Sequence, residues 1–373
     1  MKKVIFAGGG TGGHFYPIVS IIRELYKKNK SQTEIYFFGP DDYGQDFLKK
    51  EKIRFYKVLS GKLRRYFSLK NIISPFLILA GTIQTIYLLN KIKPQLVFLK
   101  GGYGSLPVGV AALIYRIPII LHESDTELGL INKLFARWAK LFLLSFPETR
   151  KHLLEDVKTE LVGNPVRSFE YRGDIEEARK SMEIIDQEKP ILLVLGGSQG
   201  SIEINELIFN LLENLVKDFF IIHSVGIENF EKFKTDIQTK YGKTIFQNYR
   251  YYPFVDENLL AKAYFLADII IARAGSGIIF EIAQTGKPAV LIPLIGSAAD
   301  HQRKNAYAYM AKGACLVMEK PNLKRGLFLE TLHNLIIDKQ KRDVMSANAR
   351  SFARSNAAKD IAQIIIRQLN VKR

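Results

Sequence analysis

A chain of 373 residues, 47% of them hydrophobic, is long enough for two domains with separate cores, and its one cysteine excludes an intramolecular disulfide framework. A formal net charge of +17 calls for an anionic partner, and no recognisable nucleic-acid module accompanies it, so nucleic acid is set aside. The start, Met1-Lys2-Lys3 and then Val4-Ile5-Phe6 before a run of glycines, carries too short an apolar stretch for a secretory signal, and a cytoplasmic location is expected.

The first strand is expected over Lys3–Ala7, followed by Gly8-Gly9-Gly10-Thr11-Gly12-Gly13-His14 and a helix-like segment. Glycine lets the backbone come close to another molecule, and a turn into a helix aims free N–H groups at an anion, so this loop reads as a ligand cradle. No Gly-Lys-Ser/Thr follows, which excludes a Walker A loop. The fit of Gly8, Gly10 and Gly13 to a dinucleotide fingerprint is weak, because the acids expected near the end of the second strand, Asp41 and Asp42, come late.

Further strand-like runs follow at 34–38, 55–59, 95–99, 118–122 and 141–145. Between Glu51 and Glu123 there is no acidic residue, while Lys52, Arg54, Lys57, Lys62, Arg64, Arg65, Lys70, Lys91, Lys93, Lys100 and Arg116 all lie inside. Within this field, Ile72 to Leu89 is uncharged and apolar. Its length brushes that of a membrane span, but Pro75, Gly81, Gln84 and the strand straight afterwards favour a helix packed on a sheet with one end exposed. Beside Lys62, Arg64, Arg65 and Lys70, such a helix suits an anionic bilayer surface.

Gly163-Asn164-Pro165-Val166-Arg167 closes the first series, and runs at 190–195, 220–224, 269–272, 289–293 and 315–318 form a second. Apolar runs separated by helix-length segments indicate parallel strands covered on both faces, hence an α/β fold. The expected organisation is a domain over 1–167, a second over 168–340, and C-terminal helices over 341–373 that return to the first domain, with a cleft between the halves. The second half repeats the glycine device in Gly196-Gly197-Ser198-Gln199-Gly200 and in Arg273-Ala274-Gly275-Ser276-Gly277. If a helix begins near Ser276, its N–H groups would meet a diphosphate and Glu281 could accept from two ribose hydroxyls.

Seven segments in order carry a resemblance: GGGTGGHFYP at 8–17, LKGGYGSLP at 99–107, HESDTELGLINK at 122–133, GNPVR at 163–167, GGSQGS at 196–201, ARAGSGIIFEIAQTGKPAVLIP at 272–293 and DHQRKNA at 300–306. Together they resemble the MurG family, transferases of N-acetylglucosamine to a lipid-linked muramyl-pentapeptide. The resemblance implies a GT-B fold of two Rossmann-like domains, with UDP-GlcNAc held mainly by the second and the acceptor, lipid I, by the first. It implies Ser198 at the phosphates, Arg167 and the backbone near Val255 at the uracil, Glu281 at the ribose and Gln302 at the sugar hydroxyls, with Gly275 and Ser276 at the diphosphate. Thr11, Gly12 and Gly13 would close over the diphosphate from the other domain, and Asn132 stands where the family motif expects it. This chain departs from the pattern at His122-Glu123-Ser124-Asp125, where many members have His-Glu-Gln-Asn, and at His301, the first of a Gln-Gln pair; both positions bear on donor-sugar contacts, and the resemblance counts Asp125 among the residues that bind UDP-GlcNAc.

The family inverts at the anomeric carbon, which needs a base on the acceptor 4-hydroxyl. His14 is the first choice, since an unperturbed imidazole titrates nearest neutrality; shaping of the glycine loop is its other reading. Glu123 and Asp125 are the rival bases, and Tyr103 is expected to position the acceptor. No Asp-x-Asp occurs, so no metal or other cofactor is expected beyond Mg²⁺ carried on the nucleotide. The expected location is the cytoplasmic face of the cell membrane, peripherally bound. The rival functions are a UDP-GlcNAc 2-epimerase, a transferase acting on another membrane lipid, and a non-enzymatic nucleotide-sugar sensor.

Overall fold

The computed structural model describes residues 1–10, 12–29, 32–42, 44–62, 70–167, 169, 171–184, 188–197, 200–242 and 244–371. They form two compact units, Met1–Arg167 together with Arg354–Arg373, and Ser168–Ala353.

The first unit is built on a parallel sheet of seven strands: β1 (Lys2–Ala7), β2 (Thr33–Gly39), β3 (Arg54–Lys57), β4 (Leu96–Leu99), β5 (Ile119–Glu123), β6 (Leu141–Leu144) and β7 (Thr159–Leu161). Their spatial order is β3-β2-β1-β4-β5-β6-β7. Val4, Ile5, Phe6 and Ala7 are all buried, as a strand covered by helices on both faces requires. Chain order reverses between β1 and β4, so the loops after these two strands flank the switch point at which open α/β sheets bind ligands. Those loops begin at Gly8, ahead of the helix that starts at Gly12, and at Lys100, ahead of the helix that starts at Ser105.

The second unit repeats this plan with six parallel strands: β8 (Ile191–Leu195), β9 (Phe220–Ser224), β10 (Tyr249–Tyr252), β11 (Ile269–Ala272), β12 (Ala289–Leu291) and β13 (Leu316–Val317). The order β10-β9-β8-β11-β12-β13 puts its switch point between β8 and β11, beside Gly196-Gly197 and Arg273-Ala274-Gly275. The sheets are therefore the expected pair of Rossmann-like layers, with β7 and β10 added as edge strands that the sequence did not announce.

The C-terminal return begins later than expected. The helix Lys339–Phe352 stays with the second unit, where Phe352 lies against Phe280 and Tyr309 with ring centroids at 5.2 and 4.9 Å. Only the segment from Arg354 joins the first unit: the helix Ala357–Asn370 sets Ile361, Ile364, Ile365 and Leu369 into the core that holds Ile18, Ile22 and Leu25. Burial of each such aliphatic side chain contributes about 1.5–3 kcal/mol.

The apolar segment forms one helix, Lys70–Ile92, long and apolar enough to span a bilayer by length and composition. Its buried side carries Ser74, Thr82 and Thr85, and the two threonine hydroxyls donate back to the carbonyls of Ile78 and Gly81. Gly81 lies so close to the Leu59 carbonyl that a Cβ would stand 1.7 Å from its oxygen. Ile72, Ile73, Phe76, Leu79, Ile83 and Tyr87 are exposed, Phe76 to 70%. The exposed part is thus a whole face and not one end, while Leu88, Leu89 and Ile92 join the three hydroxyl residues on the buried side.

Candidate active site

In the first unit, Gly9 and Gly10 have φ of 113° and 82°, a left-handed region that other residues enter at a cost. A Cβ on Gly10 would stand 3.1 Å from Tyr103 Cε1, so the Tyr103 ring closes over the glycine loop. The helix Gly12–Asn29 starts directly afterwards, and the first N–H groups of a helix have no intrahelical partner. Gly12 is buried and Gly13 exposed; Thr11 lies outside the described residues. His14, in the first turn, is half-buried, and its ring packs over Gly102 at 3.5 Å from where a Cβ there would be. The Tyr103 hydroxyl donates to Asp41 Oδ2 at 3.3 Å, and burial followed by this carboxylate raises its pKa.

The loop after β5 is organised by Glu123. Its Oε1 accepts from the backbone N–H of Ser124 (2.9 Å) and Asp125 (3.3 Å), and its Oε2 from the N–H of Gly129 (2.8 Å) and from Asn132 Nδ2 (2.9 Å). Burial and the neighbouring Asp125 nonetheless push the Glu123 carboxyl upward, against the pull of these donors and of Lys100. With three backbone donors from the loop and the Asn132 amide from the helix Leu130–Phe135, Glu123 is a group that holds this backbone in place. Asn132 is 1% exposed and ties the His122 carbonyl (3.0 Å) to Glu123. Asp125 is half-buried, and its carbonyl accepts from Thr149 Oγ1 at 2.9 Å.

Sequence reasoning gave Lys100 no role beyond its charge. The residue is fully buried where β4 meets its glycine loop, and Nζ donates to Ser124 Oγ. Burial draws its pKa down to about 8, opposed by Glu123 and Asp125. Next to it, His122 is buried with Nε2 at 3.0 Å from the Gly163 carbonyl; desolvation, then the Lys100 cation, hold it well below the usual imidazole range. Arg167 closes the first unit with its guanidinium 4.7 Å over the Tyr16 ring, on the helix that carries His14.

In the second unit Ser198 lies outside the described residues, but the loop that holds it is framed by Gly197 and Gly200, with φ of 91° and 79°. Ser201 then caps the helix Ile202–Asp218 by accepting from the Ile204 N–H at 3.2 Å. After β11, Arg273 pairs with Glu203 at 2.8 Å and donates to the Ile292 carbonyl at 3.2 Å, which binds the ends of β11 and β12 to that helix. Gly275 is the N-cap of the helix Ser276–Thr285. A Cβ on Gly275 or Gly277 would meet nothing within 4 Å, so the helix N-terminus opens onto free space. Ser276 is buried in its first turn.

Glu281 lies further along the same helix, buried, with Oε2 accepting from the Tyr264 hydroxyl at 3.1 Å. Val255 is buried just before Asp256, which caps the helix Glu257–Leu266. The carbonyl oxygen of the Gln302 side chain accepts from the Leu294 N–H at 3.0 Å, which leaves Nε2 as the donor end of that amide. His301 donates from Nδ1 to the Ala298 carbonyl at 2.7 Å, across a turn in which Ala299 and Asp300 both have positive φ. Two adjacent non-glycine residues held there store backbone strain, a feature that clusters at ligand-binding turns. Among the described residues no three His, Cys, Asp or Glu side chains form a metal-binding group.

The chain matches the Glycosyltransferase family 28 N-terminal domain over residues 4–143 and the Glycosyltransferase family 28 C-terminal domain over 191–365. It is 36% identical to the UDP-N-acetylglucosamine–N-acetylmuramyl-(pentapeptide) pyrophosphoryl-undecaprenol N-acetylglucosamine transferase of Clostridium tetani, over 100% of this chain and 99% of that one. The crystal structure of Acinetobacter baumannii MurG is similar at 25% identity with a TM-score of 0.75, covering 98% of this chain and 100% of that one. The Neisseria meningitidis UDP-GlcNAc 2-epimerase, solved with UDP-GlcNAc bound, shares the fold at 16% identity and a TM-score of 0.70, over 98% of this chain and 100% of that one. Full-length identity to the transferase, with the two glycosyltransferase domains in order, shows that this chain belongs to the MurG family.

Proposed function

We propose that the protein transfers N-acetylglucosamine from UDP-GlcNAc to the 4-hydroxyl of the muramyl sugar of lipid I, with inversion, giving lipid II. The observation that carries the donor half is Glu281, set by Tyr264 on a helix whose glycine-flanked N-terminus opens onto free space. A carboxylate so placed accepts from the vicinal hydroxyls of a ribose, while the N–H groups at Gly275 and Ser276 take the diphosphate. Gln302 Nε2 is assigned to the sugar hydroxyls, and the backbone near Val255 to the uracil.

The first unit supplies the acceptor side. His14 takes the proton of the attacking 4-hydroxyl as the new glycosidic bond forms and the bond to UDP breaks; Tyr103 and Asp125 orient the acceptor sugar. The charge that gathers on departing UDP is met by backbone N–H groups at the helix starts, Gly12–Gly13 and Gly275–Ser276, an electrostatic contribution fixed before the reaction begins. No step is assigned to a protein-bound metal; Mg²⁺ enters only with the nucleotide.

The exposed apolar face of the helix Lys70–Ile92 is assigned to an anionic membrane surface and supports a peripheral membrane location; the cytoplasmic face is assigned with the lipid I acceptor reading. Exposed Lys62 and Lys91 add basic charge near that face, at about 1 kcal/mol for each side chain that reaches the lipid headgroups.

Incubation with a panel of UDP-sugars and a lipid I analogue, following both UDP and product, tests the whole reading. UDP release only with UDP-GlcNAc plus the muramyl lipid is the expected result. Epimerised sugar formed without acceptor overturns it.

A further inference from the structure

Two departures from the family pattern fall side by side, Ser124 and Asp125, and both face one buried cation. Lys100 Nζ donates to Ser124 Oγ, and Glu123 and Asp125 are the carboxylates whose charge acts on it. A lysine buried this deeply keeps its charge only where anions compensate it. A serine at 124 is short enough to leave room for the ammonium, and an aspartate at 125 supplies it with negative charge.

We propose that Lys100 is a positioning residue of the transfer reaction: its ammonium holds the loop 123–132 through Ser124 and is the counter-charge that lets a carboxylate stand at 125. One buried cation then accounts for both departures. The proposal rests on the reading that this loop orients the acceptor. The groups that face the ammonium are His122 and Glu123 on β5 and Asp125 on the following loop. Lys100 also pins the glycine loop after β1, since its N–H donates to the Ala7 carbonyl at 3.0 Å and its Cβ sits 3.3 Å from where a Gly8 Cβ would be.

The ammonium helps hold the Glu123 carboxyl down and is itself drawn to about 8, so activity that needs the charged pair falls off on both sides of neutrality. Removal of the ammonium raises Glu123 further, which moves the acid limb of kcat/KM upward, and it deletes the alkaline limb.

The experiment measures kcat/KM for the acceptor between pH 5 and 9.5 in the wild type, Lys100→Met, and Lys100→Met combined with Ser124→Gln and Asp125→Asn. Lys100→Met is expected to lose about 10- to 100-fold at pH 7, move the acid limb upward and lose the alkaline limb. The triple variant, which restores the family pattern at 124 and 125, is expected to recover at least tenfold of that loss. A loss equal at every pH, with no recovery in the triple variant, overturns the proposal. Should Lys100→Met fail to fold by circular dichroism, Ser124→Ala takes its place: a drop of several-fold with the alkaline limb moved supports the role, and unchanged kinetics overturn it. If the wild type acts on a different acceptor, the acceptor reading fails by itself, and the same comparison of variants on that acceptor still decides the role of Lys100.

Discussion

The Tyr264 hydroxyl donates to Glu281 Oε2 across 3.1 Å, and both side chains are buried in the second unit. A carboxylate fixed in this way has one orientation to offer a ligand, so its contribution to donor binding is preorganised. Glu281→Ala is expected to weaken UDP-GlcNAc binding by about 1.5–3 kcal/mol, the range for a hydrogen bond to a charged group. Tyr264→Phe, which keeps the ring packed on Phe169 at 4.9 Å, is expected to lose about 1 kcal/mol. Titration calorimetry with the donor measures both; unchanged affinity in the alanine variant removes Glu281 from the site.

His14 stands in the first helical turn with its ring over Gly102, in reach of the loops that flank the first switch point. As general base it is expected to lower kcat by roughly 10² to 10⁴ when replaced by alanine, with donor affinity little changed. A variant that keeps kcat and loses only donor affinity assigns His14 to shaping the glycine loop instead.

The sheet strands were legible because parallel strands covered on both faces read as unbroken apolar runs, as at Ile5 and Leu193. β7 and β10 escaped because edge strands need no such run: Thr159-Glu160-Leu161 is not fully buried at any position, and in Tyr249–Tyr252 only Tyr249 is. The helix Lys70–Ile92 was found, but an element with apolar residues on every side gives no period from which to tell its inner face, where Ser74, Thr82 and Thr85 stand with Leu88, Leu89 and Ile92. Within the site, the glycine loops and Glu281 showed themselves through turn chemistry. Lys100 did not, because lysine is almost never fully buried and nothing local to it announces the carboxylates that β5 brings near. Tyr264 was hidden for the same reason, as one more apolar position of a helix.

The face of Lys70–Ile92 gives a prediction that folding effects do not blur, since Phe76 and Ile83 are exposed and substitution there removes little from the core. The double change Phe76→Ser and Ile83→Ser is expected to weaken sedimentation with phosphatidylglycerol vesicles by at least tenfold, given about 1.5–3 kcal/mol for each large apolar side chain moved out of water. Turnover of a short-chain, water-soluble acceptor is expected to stay near the wild-type rate. Equal sedimentation of the variant and the wild type takes the membrane contact away from this helix.

His223 sets an acid limit on the second unit. It is fully buried, with Nδ1 at 2.9 Å from the Tyr249 hydroxyl and Nε2 at 3.1 Å from Asn205 Oδ1, and burial lowers its pKa to about 3. The unfolded chain, titrating near 6.5, binds a proton that the folded chain refuses between these two values, so stability is full above about pH 6.5 and falls as pH drops toward 3. At pH 5 this one residue is expected to cost about 2 kcal/mol relative to pH 7. His122, also held well below the usual imidazole range, adds a loss of the same sign. Urea unfolding at pH 7 and pH 5 checks it: His223→Gln, which can still bond to Tyr249 and Asn205 but does not titrate, should show a smaller drop than the wild type. An equal drop in both proteins would mean that the loss comes from other groups, and that protonation of His223 is not what limits the unit in acid.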